Sequence, residues 1–224
     1  MAFKLSQHCA AFLAEAGWGD ARVTPLVQDA STRRYFRLQK TGGTAILLSA
    51  PMDNAEPLCQ PQMTAAERDQ AGYTAMARLA GNDCVAFLAI ARELSNRGFS
   101  APVILHAKPQ QGLILLEDLG DDLFAQILDN GQADEREIYG AAITILAALA
   151  RASFATDFQY QHQHWQVIDY DRTALLAEVQ LFCQWYLPHQ NIAISDAFRA
   201  ELLQAWEQVL DQIDGQNKVL VLRD

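Results

Sequence analysis

The sequence predicts an α+β fold of two lobes, a small N-terminal lobe with an antiparallel sheet and a mostly helical C-terminal lobe. Before residue 112, β-type alternation and turn residues recur, whereas helical periodicity dominates after residue 124. Between these halves, apolar residues 113–116 predict a buried strand that runs into an acidic turn. We therefore expect one lobe at residues 1–116, the start of a second at 117–224, and a small ligand in a cleft between them.

Composition narrows the classes of partner. The 224 residues are 50% hydrophobic and 20% charged, which is ordinary for a globular protein with a real core. A net charge of -10 argues against nucleic acid as a partner, because phosphate backbones need a clustered basic surface. The one dense basic cluster is Arg33, Arg34 and Arg37, which is large enough for the phosphates of a nucleotide.

Targeting and redox signals are also informative. No stretch approaches the roughly 20 apolar residues of a membrane span, and the N-terminus does not resemble a signal peptide. The four cysteines have neither CxxC nor metal-ligand spacing, so we expect buried, reduced thiols. The default expectation is a soluble, cytoplasmic protein without a membrane partner.

The first elements follow from capping and turn residues. Ser6 and Gly17 bracket a predicted short amphipathic helix. Two β-prone runs, 35–38 and 45–48, are joined through a Gly-Gly turn and predict a hairpin. Three prolines within 51–61 predict an exposed loop.

Two helices and a strand are expected before the acidic turn. A helix should run from Thr64 to Gly81, with Glu67 completing a capping box at its start. A second should contain apolar residues at 87, 90, 91 and 94 and end near Gly98. Residues 102–105 predict a short strand.

The second half predicts three helices and a final strand. Apolar positions in 138–149 surround the first helix on nearly every side, so we expect it to be buried. The second helix covers 175–186 and should stop at Pro188, and the third covers 195–213 and should close at Gly215. Residues 218–224 predict an apolar strand that ends in Arg223 and Asp224.

Four motifs, in order, carry a resemblance to a known group of enzymes. Segments 29–37 (DASTRRYFR), 113–120 (LILLEDLG), 178–186 (EVQLFCQWY) and 218–224 (KVLVLRD) resemble the aminoglycoside phosphotransferase and choline kinase superfamily, which has a protein-kinase-like fold. The motifs are most similar to the bacterial kinases that phosphorylate the anomeric hydroxyl of N-acetylmuramate and N-acetylglucosamine. The resemblance implies an ATP-dependent phosphotransferase that uses Mg²⁺ and a sugar-like acceptor.

The resemblance also implies a nucleotide site in the first half. Ser31, Thr32, Arg33 and Arg34 occupy the bend between the first two strands, where this fold lays a loop over the nucleotide phosphates. The alternative is a solvated basic hairpin. No Lys stands in strand 45–48, where many kinases hold phosphates, and the amino-sugar kinases typically lack it too.

The acidic turn corresponds to the hinge of the superfamily. Glu117, Asp118 and Leu119 would meet the adenine edge, mainly through their backbone, although a simple loop acid is the alternative for Glu117. Asp121 and Asp122 are interpreted as solvated residues or helix caps.

Catalytic and acceptor-side residues are expected near the end of the sequence. The resemblance implies that Asp224 accepts or orients the proton of the substrate hydroxyl, with a frayed terminal residue as the alternative. Arg223 and Glu178 are the residues expected on the acceptor side. Core packing is the preferred interpretation for Phe182 and Trp185.

Two departures from the superfamily pattern concern the end of the chain. Leu222 stands where the superfamily often has His, and the sequence ends before the Asn and Asp that hold magnesium. We therefore assign no metal ligand. We expect the sequence to be a part of a longer enzyme, and we expect this part by itself to transfer phosphate very poorly. The alternatives are an aminoglycoside or choline-like kinase, or a non-catalytic nucleotide-binding module. The acidic balance suits a cationic aminoglycoside, but the motifs favour amino sugars.

Overall fold

The structure, a computed structural model, describes residues 5–27, 31–53 and 55–223. The predicted α+β class with a small antiparallel sheet is confirmed. The described residues divide into two compact units, one drawn from Met1–Ala55 and Asn82–Gln166, the other from Glu56–Gly81 and Val167–Asp224. The lobe boundary after residue 116 stays a prediction. Asp224 and residues 29–30 of the first motif lie outside the described residues.

The first unit is built on a five-stranded antiparallel sheet. Its strands follow the spatial order β1-β2-β3-β5-β4. They are β1 (Arg22–Pro25), β2 (Arg34–Lys40), β3 (Gly43–Ser49), β4 (Ile104–Lys108) and β5 (Leu113–Glu117). The predicted hairpin is confirmed, with Leu38 opposite Ala45. The strand predicted at 102–105 begins two residues later than expected.

A helix packs against each face of this sheet. Helix α1 (Gln7–Glu15), capped by Ser6 as predicted, buries Phe12 and Leu13 against Leu47 and Leu115. On the other face, Leu88 of α4 (Cys84–Asn96) packs against Leu48, Ile114 and Leu116. These strand residues alternate along β3 and β5 with those that face α1. Because successive strand residues face opposite sides, residues 113–116 of β5 must be apolar on both faces. This explains its four consecutive buried residues.

One glycine fixes the entry to β5. Pro109–Gln111 forms a 3₁₀ turn, and Gly112 follows it in the left-handed region at φ 66°. The Ala50 N–H donates to the Gly112 carbonyl at 2.7 Å. A Cβ at Gly112 would lie 1.9 Å from the Ala50 carbonyl oxygen, so only glycine fits this approach.

The first unit continues with two helices and a hairpin. Helix α5 (Phe124–Asp129) precedes α6 (Glu135–Arg151), and β6 (Asp157–Tyr160) pairs with β7 (Gln163–Gln166). The prediction that α6 is buried was wrong. Leu149 is its one buried residue, and Ile143 and Leu146 are more than 60% exposed. Apolar residues on every side of a helix show that it can be buried, but burial also requires other elements to pack against each side. The described residues of the first unit do not provide them for α6.

The second unit begins with two short helices in place of the one predicted. Helix α2 (Ala65–Ala71) has the predicted capping box, in which Thr64 and Glu67 exchange hydrogen bonds. Gly72, at φ 104°, then breaks the helix before α3 (Tyr73–Met76). Glycine is a poor helix residue but adopts this backbone conformation without strain.

The rest of the second unit is helical and differs from expectation at its end. Helix α7 (Arg172–Leu181) continues through a π-helical turn, Phe182–Tyr186, into α8 (Leu187–His189), which ends one residue after the predicted stop at Pro188. Helix α9 (Asp196–Asp211) is capped by Ser195 as predicted. Residues 218–223 form no strand, because no described strand lies beside them.

An ion pair with a buried arginine joins the two chain segments of this unit. Arg68 on α2 is 2% exposed, and its guanidinium contacts both carboxylate oxygens of Asp171 while its Nε donates to the Ala75 carbonyl. Asp171 also caps α7 by accepting from the Ala174 N–H, and Arg78 approaches it to 3.2 Å. One carboxylate therefore fixes α7 to α2.

Candidate nucleotide and substrate sites

The predicted phosphate loop lies between β1 and β2. We use this name for residues 31–33, which precede the first residue of β2. The Arg33 N–H donates to Ser31 Oγ at 3.2 Å, and Thr32 Oγ1 donates to Asn82 Oδ1 at 2.9 Å. Both hydroxyls are thus engaged in holding the loop.

Two guanidinium groups beside this loop carry no opposing charge within the described residues. Arg33 is partly exposed and Arg34 is exposed, and neither forms an ion pair with a described carboxylate. A planar guanidinium group that has no carboxylate partner can bind two phosphate oxygens through two parallel hydrogen bonds. The loop therefore has the charge and donors that the phosphates of a nucleotide need.

Arg37 has a different role from its two neighbours. Its guanidinium binds Asp121 at 2.6 and 2.8 Å, and its Nε lies 2.9 Å from Asp118 Oδ2. These carboxylates raise the pKa of Arg37. The sequence offered Arg37 as a third phosphate ligand, but the structure commits it to the turn after β5.

Asp118 is the buried member of this cluster. Its side chain is 6% exposed and also accepts from the Gly120 N–H at 3.0 Å. Burial by itself raises the pKa of a carboxyl, but the Gly120 N–H and the Arg37 guanidinium outweigh it and hold the pKa of Asp118 below its usual value. Asp121 is an Arg37 partner, and not a helix cap: α5 begins after Leu123, without a side-chain cap.

The residues predicted to form a hinge, 117–119, differ in the groups they leave available. The Glu117 N–H donates to the Val103 carbonyl at 2.9 Å, and its carboxylate accepts from the Val103 N–H at 3.0 Å. Leu119 is exposed, and its N–H donates to no group in the described ranges. The acidic side chains thus hold the turn, whereas the backbone at Leu119 is open to a ligand.

The structure brings together the two residues predicted on the acceptor side. Arg223 Nη2 donates to Glu178 Oε1, while its Nη1 donates to the Ala77 carbonyl at 3.1 Å. The guanidinium also stacks 4.8 Å from the centre of the Tyr170 ring. Tyr73 lies in the same cluster, where burial, and then Glu178, raise its pKa to about 12. Sequence reasoning missed both tyrosines, because their spacing from Glu178 carries no periodic signal.

The aromatic residues after Glu178 are not core residues in their unit. Phe182 and Tyr186 stack with ring centres 5.3 Å apart, and Trp185 is 72% exposed. These aromatic residues, with Leu181 and His189, line a shallow apolar depression. The core prediction for Phe182 and Trp185 was wrong because the π-helical turn interrupts the 3.6-residue period that it assumed.

Outside these clusters, His164 lies in β7, and its Nδ1 lies 3.0 Å from Asp157 Oδ2. Within residues 5–27, 31–53 and 55–223, no three side chains of His, Cys, Asp or Glu are grouped as a metal ion requires. The same residues contain no helix with the length and apolarity of a membrane span. All four cysteines are free and buried, as predicted.

Comparison with known proteins supports the resemblance that the motifs indicated. No family model matches the sequence. The chain is 37% identical over 215 residues to an N-acetylmuramate/N-acetylglucosamine kinase of Caulobacter vibrioides, across 96% of this chain and 59% of that protein. Proteins with the same name from Pseudomonas aeruginosa and Neisseria meningitidis are 29% and 26% identical, across 95% and 92% of this chain and 53% and 51% of their own length. The chain thus resembles amino-sugar kinases over nearly its whole length and spans between half and three fifths of theirs.

Proposed function

We propose that this chain is the nucleotide-binding part of an ATP-dependent kinase that phosphorylates the anomeric hydroxyl of a cell-wall amino sugar. The observation that carries the proposal is the 37% identity across 96% of the chain to a protein named as such a kinase. The antiparallel sheet supports the same assignment, with two arginines where β1 turns into β2 that form no ion pair with a described residue. A protein-kinase-like fold, with lobes meeting after residue 116, is part of this proposal.

Each part of the proposed site has a chemical role. Arg33 and Arg34 bind phosphate oxygens, and the backbone at residues 117–119 meets the adenine edge, chiefly through the Leu119 N–H. The guanidinium groups stabilise the negative charge on the phosphates, which is the main protein contribution to phosphoryl transfer. Asp224, directly after Arg223 in the sequence, hydrogen-bonds the acceptor hydroxyl and takes up its proton. Glu178 and Arg223 stand on the acceptor side.

Magnesium in phosphotransferases is held by one or two carboxylates together with the nucleotide phosphates and water. The described ranges contain no group of three or more His, Cys, Asp or Glu side chains, so they single out no ligand set. When bound with ATP, Mg²⁺ neutralises charge between phosphates. We assign none of the described residues to it.

Binding of the nucleotide is the first test. Isothermal titration should detect ATP binding to the chain, and Arg33→Ala and Arg34→Ala should each weaken it about tenfold, since a hydrogen bond to a charged group is worth about 1.5–3 kcal/mol. Arg136→Ala is the matched control, because Arg136 is also exposed without an ion pair to a described residue. Equal loss in all three variants would count against a phosphate site at Arg33 and Arg34.

The acceptor needs a second test, made with the full-length product of the open reading frame. That protein should transfer the γ-phosphate of ATP to N-acetylmuramate and N-acetylglucosamine, but not to an aminoglycoside or choline. Transfer to an aminoglycoside alone would replace the proposed acceptor. ATP binding without transfer to any of the four would favour a non-catalytic nucleotide-binding module.

A further inference from the structure

A single amide side chain joins the phosphate loop to the sheet. Asn82 Oδ1 accepts from Thr32 Oγ1 at 2.9 Å, while Asn82 Nδ2 donates to the Pro51 carbonyl at 2.6 Å. Thr32 belongs to the phosphate loop and Pro51 follows the end of β3 closely. We propose that Asn82 is a positioning residue that holds the phosphate loop ready for the nucleotide. The inference rests on the nucleotide site proposed above.

The backbone of Asn82 is itself firmly held. The next residue, Asp83, caps α4 by accepting from the Val85 N–H at 2.7 Å. Helix α4 is anchored in turn by Cys84 and Leu88, which are buried against the sheet. The phosphate loop is therefore connected through Asn82 to the core of its unit, although Thr32 itself is exposed.

Asparagine is one of the few side chains suited to this bridge. Its amide has an acceptor and a donor at the same end, so one side chain accepts from a hydroxyl and donates to a carbonyl. Aspartate would keep the acceptor for Thr32, lose the donor for Pro51 and add a negative charge beside the loop. Alanine would lose both bonds.

The bridge also redefines the role of Thr32. Because the Thr32 hydroxyl donates its one proton to Asn82, it has none left for a phosphate oxygen. Thr32 then acts by ordering the loop, and the phosphates are bound by Arg33, Arg34 and backbone N–H groups. An ordered loop avoids the entropy cost that a free loop incurs on binding.

The test compares ligands that do and do not carry phosphates. By isothermal titration, Asn82→Ala should weaken the binding of ATP and of inorganic tripolyphosphate about tenfold and leave adenosine binding unchanged. Asn82→Asp should weaken both phosphate ligands more than Asn82→Ala does. Asn96→Ala is the matched control, because Asn96 is exposed at the other end of the same helix.

A double-mutant cycle separates this role from general loss of structure. Thr32→Ala should weaken ATP binding as Asn82→Ala does, the double variant should lose no more than either, and Thr32→Ser should retain wild-type affinity. Additive losses, or equal losses for adenosine, would overturn the inference. Tight binding of ATP by Asn82→Ala would overturn it while leaving the proposed function intact. A wild-type chain that binds neither ATP nor tripolyphosphate would overturn both.

Discussion

Asp118 and Arg33 are charged residues with opposite surroundings in the described part of the chain. Asp118 stands in a conspicuous acidic turn, yet its carboxylate is nearly buried and binds Arg37 and the Gly120 N–H. Arg33, two residues after a serine in a polar loop, has no ion pair to a described group. Asp118 therefore stabilises the turn after β5, whereas the guanidinium of Arg33 is available to a ligand.

The lowered pKa of Asp118 predicts a dependence of stability on pH. A carboxyl whose pKa is lower in the folded state stabilises the fold above its unfolded pKa, near 3.9, and this contribution is lost as the pH falls toward the folded value. Asp118→Asn should therefore lower the free energy of unfolding by about 1–3 kcal/mol near pH 7. The difference in the free energy of unfolding between wild type and Asp118→Asn should become smaller below about pH 4, where Asp118 of the unfolded wild type is protonated.

Urea denaturation followed by circular dichroism at several pH values measures this effect. Asp122→Asn is the control, because Asp122 is exposed and forms no ion pair with a described residue. A constant difference between wild type and Asp118→Asn across the acid range would show that the ionised carboxylate is not what stabilises the turn.

At the level of elements, the second unit depends on the ion pair between α2 and α7. Replacing Asp171 with Asn keeps an N-cap for α7, since both residues cap well, but leaves the guanidinium of Arg68 buried without its counter-charge. We expect Asp171→Asn to cost about 3–5 kcal/mol. Asp169→Asn, which removes an exposed ion pair with Lys218, should cost less than about 1 kcal/mol. Similar midpoints of thermal unfolding for the two variants would contradict this.

The contact between Gly112 and Ala50 gives a prediction for β5. Gly112 and Gly131 have similar φ values, 66° and 64°, but no atom lies near a Cβ built at Gly131. Gly131→Ala should therefore show only the cost of an unfavourable φ, about 1 kcal/mol, whereas Gly112→Ala must also displace the Ala50 carbonyl. The difference in unfolding free energy between the two variants isolates the clash. Equal unfolding free energies for the two variants would mean that the backbone at Ala50 moves away from Gly112 without a cost in stability.

Some elements were predictable from sequence because a local rule decides them. Four consecutive apolar residues specified β5, and Thr64 with Glu67 specified the start of α2. The π-helical turn was not predictable, because it inserts a residue into a period that the sequence otherwise follows. The β6–β7 hairpin turns at Gln161, at φ 55°, without the glycine that usually marks such a turn.

The candidate site was predictable only where one motif supplied it. Arg33 and Arg34 are adjacent in the sequence, so a single motif placed them together. Asn82 reaches Thr32 across 50 residues, and no local pattern signals that contact. Arg37 looked equivalent to its neighbours because its partners, Asp118 and Asp121, are more than 80 residues away.

On the scale of the whole molecule, the curated relatives are longer than this chain, which spans between 51% and 59% of them. The second and third motif-bearing segments are described, whereas Asp29 and Asp224 lie outside the described residues. Nucleotide binding and phosphoryl transfer are therefore separate questions for this molecule. The first is answered with the chain itself, the second with the full-length protein.

The exposed apolar face of α6 predicts how the molecule behaves in solution. Tyr139, Ile143 and Leu146 are spaced three and four residues apart, so they share one face of α6, and each is about half exposed or more. Exposed apolar faces of this kind favour association. We expect the 224-residue chain to self-associate as its concentration rises, and Ile143→Glu with Leu146→Lys to reduce this association. Light scattering after size exclusion measures the mass of both proteins. As a control, Glu137→Gln with Arg136→Gln changes two exposed charges on the same helix and should leave association unchanged. A wild-type chain that stays monomeric at every concentration would show that this face is covered within the molecule.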